Sequence, residues 1–372
     1  MCIRDSHGAV PDHDGHDVVL AKRLHQLSQD GLRRRARTLV PTGPVTAMLD
    51  DREVIVACSN DYLGLAAHPT VQAAARGGGA TGSRLISGSR PIHMQLEEAL
   101  EELFGRPALL FSSGYQANLA VLSTLPTAGQ HVCSDQLNHA SLIDGLRLSR
   151  ARRTVVPHAD PSAVGACDYL VLEGLYSMDG DTPPLADYPR EPTLIVDEAH
   201  AFGVLGPQGR GAAAASGVTP DVLVATFGKA LGAAGAFVIG PPEVHELLTS
   251  QGRSYIFTTA MPEPVAAMAL AGLRLAVAAE DRRQRLADRT RQLRAGLADL
   301  GWQALGQHHI VPIVVGDRAM ELSASLLAKG VFAPGIRPPT VPAGAERIRL
   351  TVSSEHRVEH IDQILTALGP AC

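Results

Sequence analysis

Between residues 54 and 240 the chain repeats one construction: a short apolar run without the polar alternation of a half-exposed strand, then a polar turn, and in several cases a helical stretch. The runs are VIVAC (54–58), ALLFSSG (108–114), HVCSD (131–135), YLVLEG (169–174), TLIVDEAH (193–200), DVLVATFGK (221–229) and AFVIG (236–240). A strand that is apolar on both faces has to be covered on both faces, and helices flanking a parallel sheet do this. HMQLEEALEELFG (93–105) and GYQANLAVLSTL (114–125) supply helical patterns between the runs. The arrangement predicts an α/β fold with a mostly parallel central sheet flanked by helices.

After FTTAMPEP (257–264) the pattern becomes that of a long helix, with Leu286, Leu293 and Leu300 a heptad apart and arginines between them. HHIVPIVVG, a helical ELSASLLAKG and RIRLTVSS then read as a smaller α+β domain. A chain of 372 residues, 45% hydrophobic, has enough apolar material for two unequal domains. The expected division is an N-terminal tail and helix segment over 1–56, a large domain over 57–276 and a small C-terminal domain over 277–372, with the last boundary inside the long helix. No internal repeat is visible.

The net charge of −5 excludes a general nucleic-acid footprint. The RRRAR cluster at 33–37 reads as a solvated helix face. Cysteines at 2, 58, 133, 167 and 372 are odd in number and form no CxxC, which predicts neither a disulfide framework nor a zinc knuckle and fits a reducing cytoplasm. No charge-free apolar run reaches about 18 residues, and the N-terminus lacks a basic segment followed by an apolar one, so neither membrane insertion nor secretion is expected. The opening HGAVPDHDGHD has metal-binding residue types without ligand spacing and reads as a disordered tail; HExxH is absent, and no metal is expected. GGGATGSRLISG (77–88) lacks the GxxxxGK[ST] spacing of a triphosphate-binding loop.

The polar residues that follow the apolar runs are Ser113 and Gly114, Asp135 to His139, Glu173 to Ser177, Asp197 and His200, and Thr226 and Lys229. All fall at strand carboxyl ends, the edge where parallel α/β sheets bind ligands, so five segments converge on one crevice. Singly, each has a plainer role: Asp197 as a helix N-cap, His139 and His200 as hydrogen-bonded structural histidines. Lys229 is harder to dismiss. The chain holds 33 basic residues but only three lysines, Lys22, Lys229 and Lys329, so arginine serves wherever charge alone is needed. A lysine, unlike an arginine, can become a nucleophilic amine on burial. An amine, a buried aspartate, two histidines and a helix start able to hold an anion suit pyridoxal phosphate (PLP).

These residues resemble the α-oxoamine synthases among the fold-type I PLP-dependent transferases. The resemblance runs from about residue 30 to 368 through SNDYLGL (59–65), GSRLISG (82–88) with His93, FSSGYQAN (111–118), LNHAS (137–141), EGLYSMDGD (173–181), VDEAH (196–200), TFGKALG (226–232), FTTAMP (257–262) and IRPPTVPAG (336–344). It implies Lys229 as the Schiff-base lysine, Asp197 as partner of the pyridine nitrogen and His139 stacked on the ring. Ser177 and His200 would hold the phenolic oxygen; the backbone of Gly114 and Tyr115, with Thr226, the phosphate. Thr259 would reach that phosphate from the other subunit of a homodimer, with the site at the interface and the arginine cluster on an N-terminal helix. Arg349 would grip the amino acid's carboxylate, and Arg33, Asn60, Arg337 and Thr340 match substrate-contacting positions. The IRPPTVPAG segment is most similar to the members that condense L-alanine with a pimeloyl thioester of coenzyme A or an acyl carrier protein. The alternatives are glycine with acetyl-CoA, other members of the family, or a catalytically silent partner subunit. Two departures stand out: a shortened segment between His68 and Gly82, and HAFG (200–203), which places Phe202 near the cofactor.

Overall fold

The computed structural model describes residues 13–371; residues 1–12 and 372, with Cys2, Cys372 and the first part of HGAVPDHDGHD, lie outside the described residues. Seven strands make the central sheet, in the order Ala108–Phe111, Ala236–Ile239, Val222–Thr226, Thr193–Asp197, Tyr169–Glu173, His131–Asp135 and Arg152–Val156. Neighbours are parallel except at Ala236–Ile239, which is antiparallel to both strands beside it. The connection from Thr226 to Ala236 is shorter than the dozen or so residues a parallel crossover takes, so the chain turns back on itself.

Side chains alternate between two cores, as the period of a strand requires. Leu109, Val171, Ile195, Val224 and Val238 face the helices Gly114–Thr124 and Ala140–Leu148; Leu110, Leu172, Val196, Leu223 and Phe237 face the opposite core, with Leu96, Leu100, Ala269 and Leu273. Each fully buried leucine or isoleucine contributes about 1.5–3 kcal/mol. The central sheet is covered on both faces, as the uninterrupted apolar runs require.

Four expectations are corrected. VIVAC is not part of the central sheet: Arg52–Val56 joins Val40–Pro41, Thr46–Leu49 and Val331–Phe332 in a separate sheet, with Val331 paired to Ile55. No crossover helix follows that run; the chain passes straight into SNDYLGL. The helix His13–Gln29 starts inside the stretch read as a tail. It ends at Gly31, whose left-handed φ of 66° lets Leu32 N–H donate to the Leu27 carbonyl, so RRRAR lies on the irregular segment beyond the helix and not on a helix face. The long helix is two, Glu263–Val277 and Glu280–Asp299, and Leu297 rather than Leu300 continues the buried stripe of Leu286 and Leu293, as a period of 3.6 dictates.

The C-terminal part packs Ala319–Ala328 against an antiparallel sheet of Ile310–Val314, Arg347–Thr351 and Gly335–Ile336, and Val358–Leu368 against the helices Glu280–Asp299 and Ala319–Ala328. Arg347 and Arg349 are two apart on the middle strand and therefore project from the same face. Among the described residues no helix is long and apolar enough to cross a membrane, and no three His, Cys, Asp or Glu cluster as a metal site.

Candidate active site

Asp197 ends the strand Thr193–Asp197 and is buried. Its Oδ1 accepts from Ala199 N–H at 2.9 Å, a local turn, and its Oδ2 accepts from Asn118 Nδ2 at 2.7 Å. The same amide donates its other proton to Ser141 Oγ at 2.9 Å, and Ser141 Oγ lies 2.7 Å from His139 Nδ1. Asn118 has only protons to give at Nδ2, so Ser141 accepts from it and donates onward to His139. That fixes Nδ1 of His139 as an acceptor and leaves its proton on Nε2. Burial and the nearby Lys229 lower the pKa of His139, against the pull of Asp197, and keep it neutral. Its backbone N–H donates to Glu173 Oε1 at 2.5 Å. Burial and the charge of Asp197 raise the Glu173 carboxyl well above its ordinary range.

Lys229 lies just beyond Val222–Thr226, half-buried, and its amine makes no hydrogen bond or salt bridge among the described residues. Burial lowers it to about 8, with Asp197 and Glu173 opposing and Arg349 assisting. Thr226 Oγ1 donates to the Gly235 carbonyl at 2.7 Å and accepts from Gly228 N–H at 3.0 Å. Ser113 caps the helix Gly114–Thr124, its hydroxyl accepting from Gln116 N–H. The N–H groups of Gly114 and Tyr115 have no acceptor among the described residues. A Cβ on Gly114 would stand 3.9 Å from the Thr226 side chain, which places the open helix end against the strand end. The Tyr115 hydroxyl is engaged by Asp144. The Thr259 carbonyl accepts from Ser112 Oγ, one residue before the cap.

A second network joins the two ends of the chain. Arg349 is 7% exposed and faces no carboxylate among the described residues. Its Nε donates to the Ser177 carbonyl at 2.5 Å, and both terminal nitrogens lie 3.3 Å from Asn60 Oδ1. Tyr62 OH donates to that same oxygen at 2.9 Å and lies 2.7 Å from His200 Nδ1. Since the Tyr62 proton goes to Asn60, His200 must donate from Nδ1, leaving Nε2 as an acceptor. Burial, with Lys229 and Arg349 nearby, holds His200 neutral, its pKa well below the usual value. Farther out, Arg337 donates to the Arg33 carbonyl at 2.9 Å, and Arg34 rather than Arg33 reaches Thr340 Oγ1, at 3.1 Å. Phe202, two residues beyond His200, packs in the core against Phe104 and Phe237 with ring centroids 6.0 and 5.0 Å away.

The structure thus gathers Lys229, Asp197, His139, His200 and Arg349, with Asn60 and Ser177, and sets Arg33, Arg337 and Thr340 in a separate outer group. Three further members carry no signal of their own in the sequence. Asn118 stands at the end of FSSGYQAN, Ser141 at the end of LNHAS and Tyr62 in SNDYLGL, and each is found only when its partner from a distant segment is known.

The class I and II aminotransferase profile matches residues 52–368. The chain belongs to that family. It is 44% identical over 384 residues to an 8-amino-7-oxononanoate synthase of Burkholderia thailandensis, covering 94% of this chain and 97% of that one. It is 42% identical over 376 residues to a putative 8-amino-7-oxononanoate synthase of Desulforudis audaxviator, covering 95% and 98%. Among solved structures, a serine palmitoyltransferase from S. paucimobilis with PLP and myriocin bound superposes with a TM-score of 0.89 at 30% identity, over 96% of this chain and 97% of that one. An 8-amino-7-oxononanoate synthase from Francisella tularensis gives 0.74 at 27% identity, over 85% and 96%. This aminotransferase-family chain is a PLP-dependent enzyme, and its donor set fits that cofactor: a half-buried amine with no partner, a buried carboxylate held by two donors, and a helix end with free N–H groups.

Proposed function

We propose that the enzyme condenses L-alanine with a pimeloyl thioester, carried by coenzyme A or an acyl carrier protein, to give 8-amino-7-oxononanoate, CO2 and the free thiol, a step of biotin synthesis. The single observation that carries this reading is the pairing of Arg349, a buried cation without an acid, with Lys229, a lowered amine without a partner, in one crevice. A buried guanidinium calls for an anion, and the amino acid supplies one as its carboxylate. The product is the one named in the 44% and 42% identical relatives.

When bound, PLP supplies the electron sink for a negative charge at the amino acid's Cα. Lys229 would hold it covalently through Nζ. The N–H groups of Gly114 and Tyr115 would hold its phosphate, the Thr226 hydroxyl would join them by turning its proton from the Gly235 carbonyl to the phosphate, and Thr259 of a second copy would complete that end. Asp197, kept in place by Asn118 and Ala199, would keep a proton on the pyridine nitrogen. His139 would hold the ring, and Ser177 and His200 would hold the phenolic oxygen. Arg349 fixes the alanine carboxylate, and Arg33, Asn60, Arg337 and Thr340 border the substrate.

Lys229, as the free amine, would take the Cα proton; its pKa of about 8 suits both removal and return. The bond from Cα to the acyl carbon forms as the C–S bond breaks, and the thiolate leaves and takes a proton from water to become the free thiol. Loss of CO2 breaks the bond to the carboxylate, and a proton from Lys229 restores Cα. The working unit of this reading is a homodimer: Val19, Leu20, Leu24 and Leu27 on the first helix, with Ile86 and Phe257, leave apolar surface exposed for a second copy. Cys58, Cys133 and Cys167 are unpaired, in keeping with a reducing cytoplasm.

The test is turnover. Holoenzyme with L-alanine and pimeloyl-CoA or a pimeloyl carrier protein should release CO2 and thiol and form the amino-oxo acid, identified by mass. Faster turnover of glycine with acetyl-CoA would contradict the substrate assignment and leave the role of Lys229 standing.

A further inference from the structure

His158 lies outside the site, on the loop after Arg152–Val156, and no step above uses it. Its Nδ1 is 3.0 and 3.2 Å from the two carboxylate oxygens of Asp135, and its Nε2 is 2.8 Å from Asp181 Oδ2. Carboxylate oxygens only accept, so both ring nitrogens have to carry protons, and the ring is an imidazolium. Burial opposes that charge, but the two carboxylates outweigh it and raise the group to about 10. The Tyr176 ring stands edge-on at 4.4 Å and closes the remaining side.

Asp135 belongs to the central sheet, where it also accepts from Leu137 and Ala159 N–H. Asp181 belongs to the turn 174–181, which leaves the central sheet with Gly174 N–H donating to the Asp197 carbonyl at 2.8 Å and whose far side is held by the C-terminal part of the chain. Arg349 donates to the Ser177 carbonyl, Arg347 to the Met178 carbonyl and Asp179 Oδ1, and Gln307 and His308 N–H to the Gly180 carbonyl. Gly180 has a left-handed φ of 69°, and a Cβ there would collide with the Ile310 carbonyl, so the turn lies flush against that strand. Of these contacts, the one from His158 to Asp181 ties the turn by a side-chain ion pair to the sheet that carries Asp197 and Lys229.

We propose that His158 is a positioning residue: clamped between Asp135 and Asp181, it fixes the turn whose Ser177 carbonyl orients the Arg349 guanidinium, and so sets the affinity for the amino acid's carboxylate without touching it. The proposal rests on the reading of Arg349 as the carboxylate site. It predicts a loss confined to one substrate, since the outer group of Arg33, Arg337 and Thr340 makes no contact with this turn among the described residues.

The test uses holoenzyme of the wild type, His158→Asn, Asp181→Asn, the double variant and Arg349→Ala. The readouts are cofactor content, the L-alanine Kd from the absorbance change of the bound cofactor, and the KM for pimeloyl-CoA. Each clamp variant should bind L-alanine about tenfold more weakly, with cofactor content and thioester KM unchanged, and the double variant should be no weaker than either single because both remove one interaction. Asp181→Asn keeps the size of the side chain and decides the matter if His158→Asn folds poorly. An unchanged L-alanine Kd in Asp181→Asn, beside a weakened one in Arg349→Ala, overturns the clamp alone. Equal losses for both substrates, or additive losses in the double variant, show a merely structural histidine and overturn it too. An unchanged Kd in Arg349→Ala overturns the carboxylate reading and the clamp with it.

Discussion

Lys229 should weaken the cofactor-free fold, and by an amount that depends on pH in a defined direction. Burial lowers its amine from 10.5 to about 8. Below about 8 the group is charged in folded and unfolded chains alike, and the folded chain bears the full cost of burying the ammonium. Between about 8 and 10.5 the unfolded chain holds a proton that the folded chain has released, so stability rises with pH. At about 1.36 kcal/mol per pH unit, the move from 10.5 to about 8 corresponds to about 3.4 kcal/mol. The side chain is only half-buried, and solvent screening reduces this to about 1–2 kcal/mol. Lys229→Met keeps an unbranched side chain of similar length and removes the charge. Urea unfolding of the two cofactor-free proteins, at one protein concentration, should show the variant more stable by about 1–2 kcal/mol at a pH of about 7, with the gap closing as the pH nears about 10.5. A gap that does not change with pH, or a variant less stable near neutrality, would refute the reasoning.

Asp197→Asn should retain bound cofactor while exchange of the L-alanine Cα proton with deuterated water falls by orders of magnitude; near-normal exchange would reduce Asp197 to the turn it makes with Ala199. Tyr62→Phe keeps the ring that packs 4.0 Å from His309 but strips His200 Nδ1 of its acceptor, and should lower stability by about 1–3 kcal/mol in urea melts. Gly180→Ala should cost more than about 1 kcal/mol, read as a lowered melting temperature, because its left-handed backbone and the Ile310 carbonyl both reject a Cβ.

The chain's local chemistry shows where its polar groups stand but not which of them meet. Apolar runs such as LIVD and VLVAT placed Asp197, Thr226 and Lys229 at strand ends, because a strand's end in sequence is its end in space. The reversal at Ala236–Ile239 was hidden, since an apolar strand looks the same in either direction. Arg152–Val156 escaped notice because an edge strand carries exposed arginines where an inner one would carry valines. VIVAC misled because an apolar run does not say which sheet it joins: it pairs with Thr46–Leu49 beside it and with Val331–Phe332 at the far end of the chain. Distance also hid the polar chain from Asp197 through Asn118 and Ser141 to His139, which draws on three segments, and the His158 clamp, which needs Asp135 and Asp181 together. Apart from the family resemblance, Arg349 reads as one more arginine; in the structure its burial without an acid distinguishes it.

The central claim is that Lys229 carries the cofactor, and borohydride reduction of the holoenzyme followed by trypsin tests it directly. A cofactor fixed on Lys229 blocks cleavage there, so the label should travel on one peptide spanning 211–253, between the cuts at Arg210 and Arg253. Label on a peptide containing Lys22 or Lys329, with cleavage after Lys229 intact, would contradict the account.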